Sequence, residues 1–142
     1  MKSKAPLALM EQLVMVLVFA LAAALCVRGF VLSERISRRG EARDMAMIAA
    51  QNAAEALKGT GGDFSAASEQ YGGSWNGLLW GISYDETWKE LQGAEQAAYH
   101  LLVMPGDSGE PLLGAAGVTV YTARGDVLVT LPVAWQEVKP HE

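Results

Sequence analysis

The chain has 142 residues, room for one modest domain once a membrane segment is set aside. Half of it (51%) is hydrophobic while 19% is charged, which points to apolar and charged stretches segregated along the chain. From position 59 onward three bases, Lys89, Arg124 and Lys139, face eleven acids, a net of −8; so acidic a region repels phosphate backbones and argues against direct nucleic-acid binding. The lone cysteine, Cys26, excludes an intrachain disulfide and a cysteine-based metal site.

Residues 13–27 are fifteen consecutive apolar residues. With residues 7–10 before and 29–32 after, the stretch reaches the length needed to cross about 30 Å of hydrocarbon as a helix. Up to residue 32 proline appears only at Pro6, where a first turn tolerates it. The reading is a retained transmembrane helix over residues 7–32, preceded by a cytoplasmic segment, residues 1–6. A cleaved secretory signal competes, with Lys2 and Lys4 as its basic start and Ala22-Ala23-Ala24 as its cleavage site. A lipoprotein signal at Ala23-Ala24-Leu25-Cys26 is disfavoured because Leu25 is not small. Glu11 in the apolar run, and a helical pattern that continues past Ala24, favour retention. Ala20, Ala22, Ala23, Ala24 and Gly29 would allow close approach of another helix.

Residues 33–58 contain no proline and one glycine, Gly40. Ile36, Met45, Ile48, Asn52, Ala53, Ala56 and Leu57 recur at three-to-four spacing, which predicts an amphipathic helix continuing from the first. Arg35, Arg38, Arg39, Glu41, Arg43 and Glu55 fall largely off that face. The basic excess between Arg28 and Arg43 lies beside the apolar run, where it can meet anionic lipid headgroups. Gly59, Gly61 and Gly62 stop the helix.

Residues 59–142 form a glycine-rich loop and a β domain. A short helix capped by Asp63 is predicted over 63–71. Strands are predicted over 78–84, 87–91, 96–104, 118–123 and 127–134. Residues 105–111 read as a loop, and Arg124-Gly125-Asp126 as a hairpin turn. The sum is an antiparallel meander of about four strands covered by the amphipathic helix, an α+β fold.

The start Leu7-Ala8-Leu9-Met10-Glu11-Gln12-Leu13-Val14, followed by a hydrophobic run, an amphipathic helix and a small β-rich domain, resembles type IV pilins and type II secretion pseudopilins. In that family the mature chain begins hydrophobic with an acidic residue fifth; Leu7 would be first and Glu11 fifth. The resemblance implies that Glu11 serves assembly by pairing with the free amine of a neighbouring subunit, and that Pro6 and Leu7 flank a processing site. It also implies other pilin-like subunits, or an assembly platform, as partners. A carboxylate near hydrocarbon is costly unless paired, so Glu11 wants such a reason. The family's peptidase usually needs glycine before the first mature residue, and this chain has Pro6 there. A chain that keeps its N-terminus offers Lys2, Lys4 or the α-amine to Glu11. In a plain bitopic protein Glu11 would instead snorkel to water from an interfacial turn. Counting bases on either side of the apolar run puts the C-terminal side in the cytoplasm; the resemblance puts it outside, and that reading is preferred here.

Catalytic motifs find little support. Gly106-Asp107-Ser108-Gly109 spells the nucleophile motif of chymotrypsin-like proteases, but those need a histidine far upstream and two barrels of chain. His100 lies in a predicted strand and His141 in the tail, without metal-ligand spacing. Asp107 and Glu110 are a thin basis for a Ca²⁺ site. Asp85, Glu86 and Glu90 read as a solvated edge. Most of the aromatic residues should be core, with Trp75 by the glycine loop the candidate partner contact. The expectation is therefore a pilin-like or pseudopilin-like structural subunit without cofactor or enzymatic activity. The alternative is a membrane-anchored accessory protein that does not assemble.

Overall fold

Leucine, alanine and methionine dominate the N-terminal half, and the single proline falls where its missing N–H costs nothing. In the computed structural model, which describes residues 4–137, this stretch forms one α-helix, α1 (Ala5–Gly59). The chain divides into two compact units, Met1–Gly40 and Glu41–Glu142. In the first, every described residue is exposed, including Leu7, Phe19 and Phe30. This part of α1 is long and apolar enough to cross a membrane. Lys2, the α-amine and His141 lie outside the described residues.

In the second unit the last turns of α1 pack on an antiparallel sheet. The buried side chains are Ala46, Ala49, Ala50, Ala53, Ala54 and Leu57. Of the expected apolar face Ala53 and Leu57 are buried and Ala56 packs against the core, while the other four positions are corrected. Ile36, Met45 and Ile48 are 65%, 37% and 51% exposed, and Asn52 is exposed too. Small residues win the buried face because the sheet presents bulky ones, Trp80 and Tyr84 among them, and interdigitation at native density needs large against small. The helix ends where Gly61 and Gly62 take φ of 65° and 89°. The Gly62 N–H donates to the Leu57 carbonyl (2.9 Å), and the Thr60 hydroxyl lies 3.1 Å from the Ala56 and Leu57 carbonyls. Helix α2 (Phe64–Tyr71) follows at once, with Asp63 as its N-cap accepting from the Ala66 N–H at 3.1 Å.

The strands are β1 (Ser74–Trp75), β2 (Trp80–Tyr84), β3 (Glu90–Leu91), β4 (Tyr99–Gly106), β5 (Leu113–Thr122) and β6 (Val127–Gln136). Their order is β1-β2-β4-β5-β6, and β3 pairs with β2 beyond β1. All pairings are antiparallel. Four strands are long; β1 and β3 are two-residue pieces. The expected return strand over 87–91 is mostly turn. Asp85 Oδ1 accepts from the Thr87 and Lys89 N–H groups and the Thr87 hydroxyl, so only Glu90 and Leu91 pair. Strand β4 starts three residues later than expected and runs through Pro105. Strand β5 starts at Leu113, five residues before Val118, the expected start; the small residues 114–117 hide it from propensity reasoning.

Cross-strand register gathers one core face: Trp80 on Val103, Ile82 on Leu101, Leu101 on Val120, Val103 on Val118 and Val120 on Val129. Trp80, Leu101, Val103, Val118 and Val120 are fully buried. On the opposite face lie Ser83, His100, Leu102, Thr119 and Tyr121, none fully buried.

Candidate functional site

Glu11 sits two turns into α1, fully in the apolar stretch and exposed. Among the described residues it makes no ion pair. Lys4, seven residues earlier, lies roughly 10 Å along the helix axis, too far for one. Pro6 and Leu7 are inside the first helical turns and exposed. Placed in hydrocarbon, an unpaired carboxylate would be the most costly group in this part of the chain, and a neighbouring cation would offset that cost.

Trp75 lies on β1, half-buried, with its ring stacked on Phe64 (centroids 4.7 Å, planes 22° apart). Phe64 in turn meets Trp135 edge-on at 6.2 Å. The Trp135 indole is slotted between Gly62 and Gly114: a Cβ on either would come within 3.0 Å of the ring. Its Nε1 is buried with no hydrogen-bond partner among the described residues. Trp80 is anchored better, donating from Nε1 to the Gly72 carbonyl at 2.8 Å. Beside it, Tyr71 meets Trp80 edge-on and its hydroxyl donates to the Ala49 carbonyl (3.4 Å), tying α2 to α1. Burial, and then the adjacent Tyr71 hydroxyl, push the Tyr84 phenol well above its ordinary value of 10.0. At the far end of β2, Trp88 is stacked on Tyr99 at 4.2 Å and 10°, in a left-handed backbone conformation (φ 63°) rare for so large a residue.

A cleft of about 250 Å³ opens on the outer sheet face at the β2 edge, its lining including Ser83, Glu90, Gln92, His100 and Leu102. Register puts Ser83 directly across from His100, and Ser83 Oγ lies 3.3 Å from His100 Nδ1. The His100 ring stacks on Tyr121 (5.2 Å, 29°). Glu90 is turned to the cleft rim, where Oε1 accepts the Gly73 N–H at 2.6 Å and bridges β3 to β1. A hydroxyl bonded to an imidazole is the beginning of a nucleophile–base pair, but a working one needs a group to orient the base. Among the described residues no carboxylate bonds the second ring nitrogen. Ser83, Glu90 and His100 were brought together by strand register, which the sequence alone does not reveal.

Ser108 is not part of this cleft. Its hydroxyl accepts from the Glu110 N–H (3.2 Å) and lies beside the Glu110 and Leu113 carbonyls, so it organises the turn between β4 and β5. Asp107 accepts from the Gly109 N–H at 2.8 Å in the same turn. Among the described residues no three His, Cys, Asp or Glu side chains are grouped to hold a metal ion. No known protein family matches the chain, and neither a curated protein nor a solved structure matches it.

Proposed function

We propose that the chain is a pilin-like structural subunit of a cell-envelope filament, of the type IV pilus or type II secretion kind. Its apolar helix would be held in the membrane by a single pass, and its sheet domain would stand outside the cytoplasm. The observation that carries the reading is the division of labour along α1. An exposed apolar half bears one carboxylate, Glu11, the fifth residue counting from Leu7, and an alanine-faced half packs on a small antiparallel sheet. In a filament the exposed half is covered by equivalent helices, and Glu11 meets a neighbour's amine. Glu11→Gln keeps size and helix propensity and removes the charge. The expected result is normal membrane insertion with loss of higher-order assembly, read by cross-linking in the membrane. Assembly unchanged in Glu11→Gln would take away the residue on which the reading rests.

Pro6 favours a second reading, a membrane-anchored accessory protein that does not assemble, because it stands where the family's peptidase usually needs glycine. Intact mass of the membrane-extracted protein separates the two. A chain beginning at Leu7 supports the subunit, and a full-length chain supports the accessory role. Neither reading assigns an enzymatic activity or a cofactor.

A further inference from the structure

Arg28, Arg35, Arg39 and Arg43 follow the apolar run on α1, and all four are exposed. At 3.6 residues per turn they fall within an arc of roughly 80°, a single stripe about 22 Å long. Glu34, Glu41 and Asp44 lie off that arc. Glu34 is instead taken up by Arg38, at 2.7 Å, also off the arc. Among the described residues the stripe arginines make no ion pair. Arg35, Arg39 and Arg43 are moreover four residues apart, where like charges repel along a helix. Such a stripe is a surface that an external anion would complement.

The complementary charge is on the chain's own sheet domain. Pairing of Tyr84 with Tyr99, Tyr99 with Thr122 and Tyr121 with Val127 brings the loops after β2, before β4 and after β5 to one end of the sheet. Glu86, Glu95 and Asp126 lie in these loops, are exposed, and make no ion pair among the described residues; with Asp85, and against Lys89 and Arg124, they leave this end at a net charge of −2. The only ion pairs within the described residues are local ones in α1, so both charge sets are unspent inside one copy.

We infer that the arginine stripe of one copy docks against this acidic end of a second copy. The inference rests on the proposed subunit reading and adds the surface through which copies set their stagger. Anionic headgroups are the rival occupant. A headgroup layer is only about 5–8 Å deep, so an upright helix would leave Arg39 and Arg43 beyond it. Those two are accordingly the residues to test.

The experiment uses the full chain in nanodiscs of neutral phosphatidylcholine, with self-association followed by cross-linking. Two variants are compared, Arg39→Glu with Arg43→Glu, and Glu86→Lys with Glu95→Lys. The wild type is expected to associate at least about tenfold more weakly in 500 mM than in 50 mM salt. Each variant alone should associate at least about tenfold more weakly than wild type, and a mixture of the two should recover the loss, because the reversed charges complement each other. A stripe variant that associates like wild type overturns the inference and leaves the subunit reading standing. So does a mixture no tighter than its components. If the dependence on salt and on the arginines appears only in discs containing phosphatidylglycerol, lipid occupies the stripe and the inference is overturned. A wild type that stays monomeric throughout removes the inference and the subunit reading together.

Discussion

Gly114→Ala is expected to destabilise the sheet domain severely, against the ordinary rule. In a strand interior alanine is normally better than glycine by about 0.5–1 kcal/mol. At Gly114 the backbone is ordinary extended strand, so no positive φ calls for glycine, but the new Cβ would come within 3.0 Å of the Trp135 ring. The ring cannot retreat, since Gly62 closes the other side of the slot and Phe64 meets it edge-on. Overpacking of a rigid ring costs about 1–3 kcal/mol, and about 3–5 kcal/mol if the indole is expelled. At about 4–8 °C per kcal/mol for a domain of this size, a loss of roughly 3 kcal/mol lowers Tm by about 12–24 °C. Trp135→Ala alone should cost about 3–5 kcal/mol. In the double variant the alanine enters a vacated slot and adds nothing further, so the coupling between the two changes should be about 2–4 kcal/mol. Thermal unfolding of the detergent-solubilised chain, followed by near-ultraviolet circular dichroism, reads all three. Additive losses would refute the slot as the cause.

Three further outcomes follow from named contacts. Trp88 sits at φ 63°, which costs a non-glycine residue about 1–2 kcal/mol, and it stacks on Tyr99. Denaturant midpoints should therefore rank Trp88 above Trp88→Gly above Trp88→Ala, with the glycine variant better than alanine by about 1 kcal/mol. Ala53→Leu, on the fully buried alanine face of α1, should cost about 1–3 kcal/mol by overpacking, while Ile48→Ala on the exposed side should change stability by less than about 0.5 kcal/mol. The Asp85 carboxyl is held below its ordinary value of 3.8, first by the Lys89 N–H and then by the Thr87 hydroxyl. A depressed folded value means the stabilisation is fully present above pH 3.8 and is lost as pH falls through the lowered value. Asp85→Asn should flatten acid unfolding in that window, and an unchanged acid limb would place the acid sensitivity elsewhere.

The parts of the fold set by local chemistry were legible in the sequence. A charge-poor run, a glycine stop and an aspartate cap announce α1 and α2, and turn residues around Gly125 announce the last hairpin. The parts set by tertiary contact were not. Periodicity marks Met45 and Ile48 as apolar but says nothing of what faces them. The sheet brings tryptophan and tyrosine to that surface, so alanines are selected for it. Residues 114–117 carry little strand propensity, yet they belong to β5, and Trp135 leaves no room at position 114 for anything larger than glycine. The Ser83–His100 contact depends on a register that no single strand encodes.

The arginines also bear on orientation. Under the proposed reading, five of them, at positions 28, 35, 38, 39 and 43, follow the apolar run on the side away from the cytoplasm. That runs against the bias that keeps Lys and Arg near cytoplasmic ends of a span. Such an arrangement is retained when the charges are needed outside, and docking on an acidic neighbour supplies that need. Among the described residues only Arg38 of these five has an intramolecular ion-pair partner to reduce its charge. The orientation is testable with a single cysteine introduced at Ser65, which is exposed on α2, in a Cys26→Ser background. A membrane-impermeant maleimide applied to intact cells should label it, and labelling should persist when Arg28, Arg35, Arg39 and Arg43 are changed to Gln. Labelling only after the membrane is opened would put the sheet domain in the cytoplasm. The charge rule would then have been the better guide, and an external filament of these subunits would be ruled out.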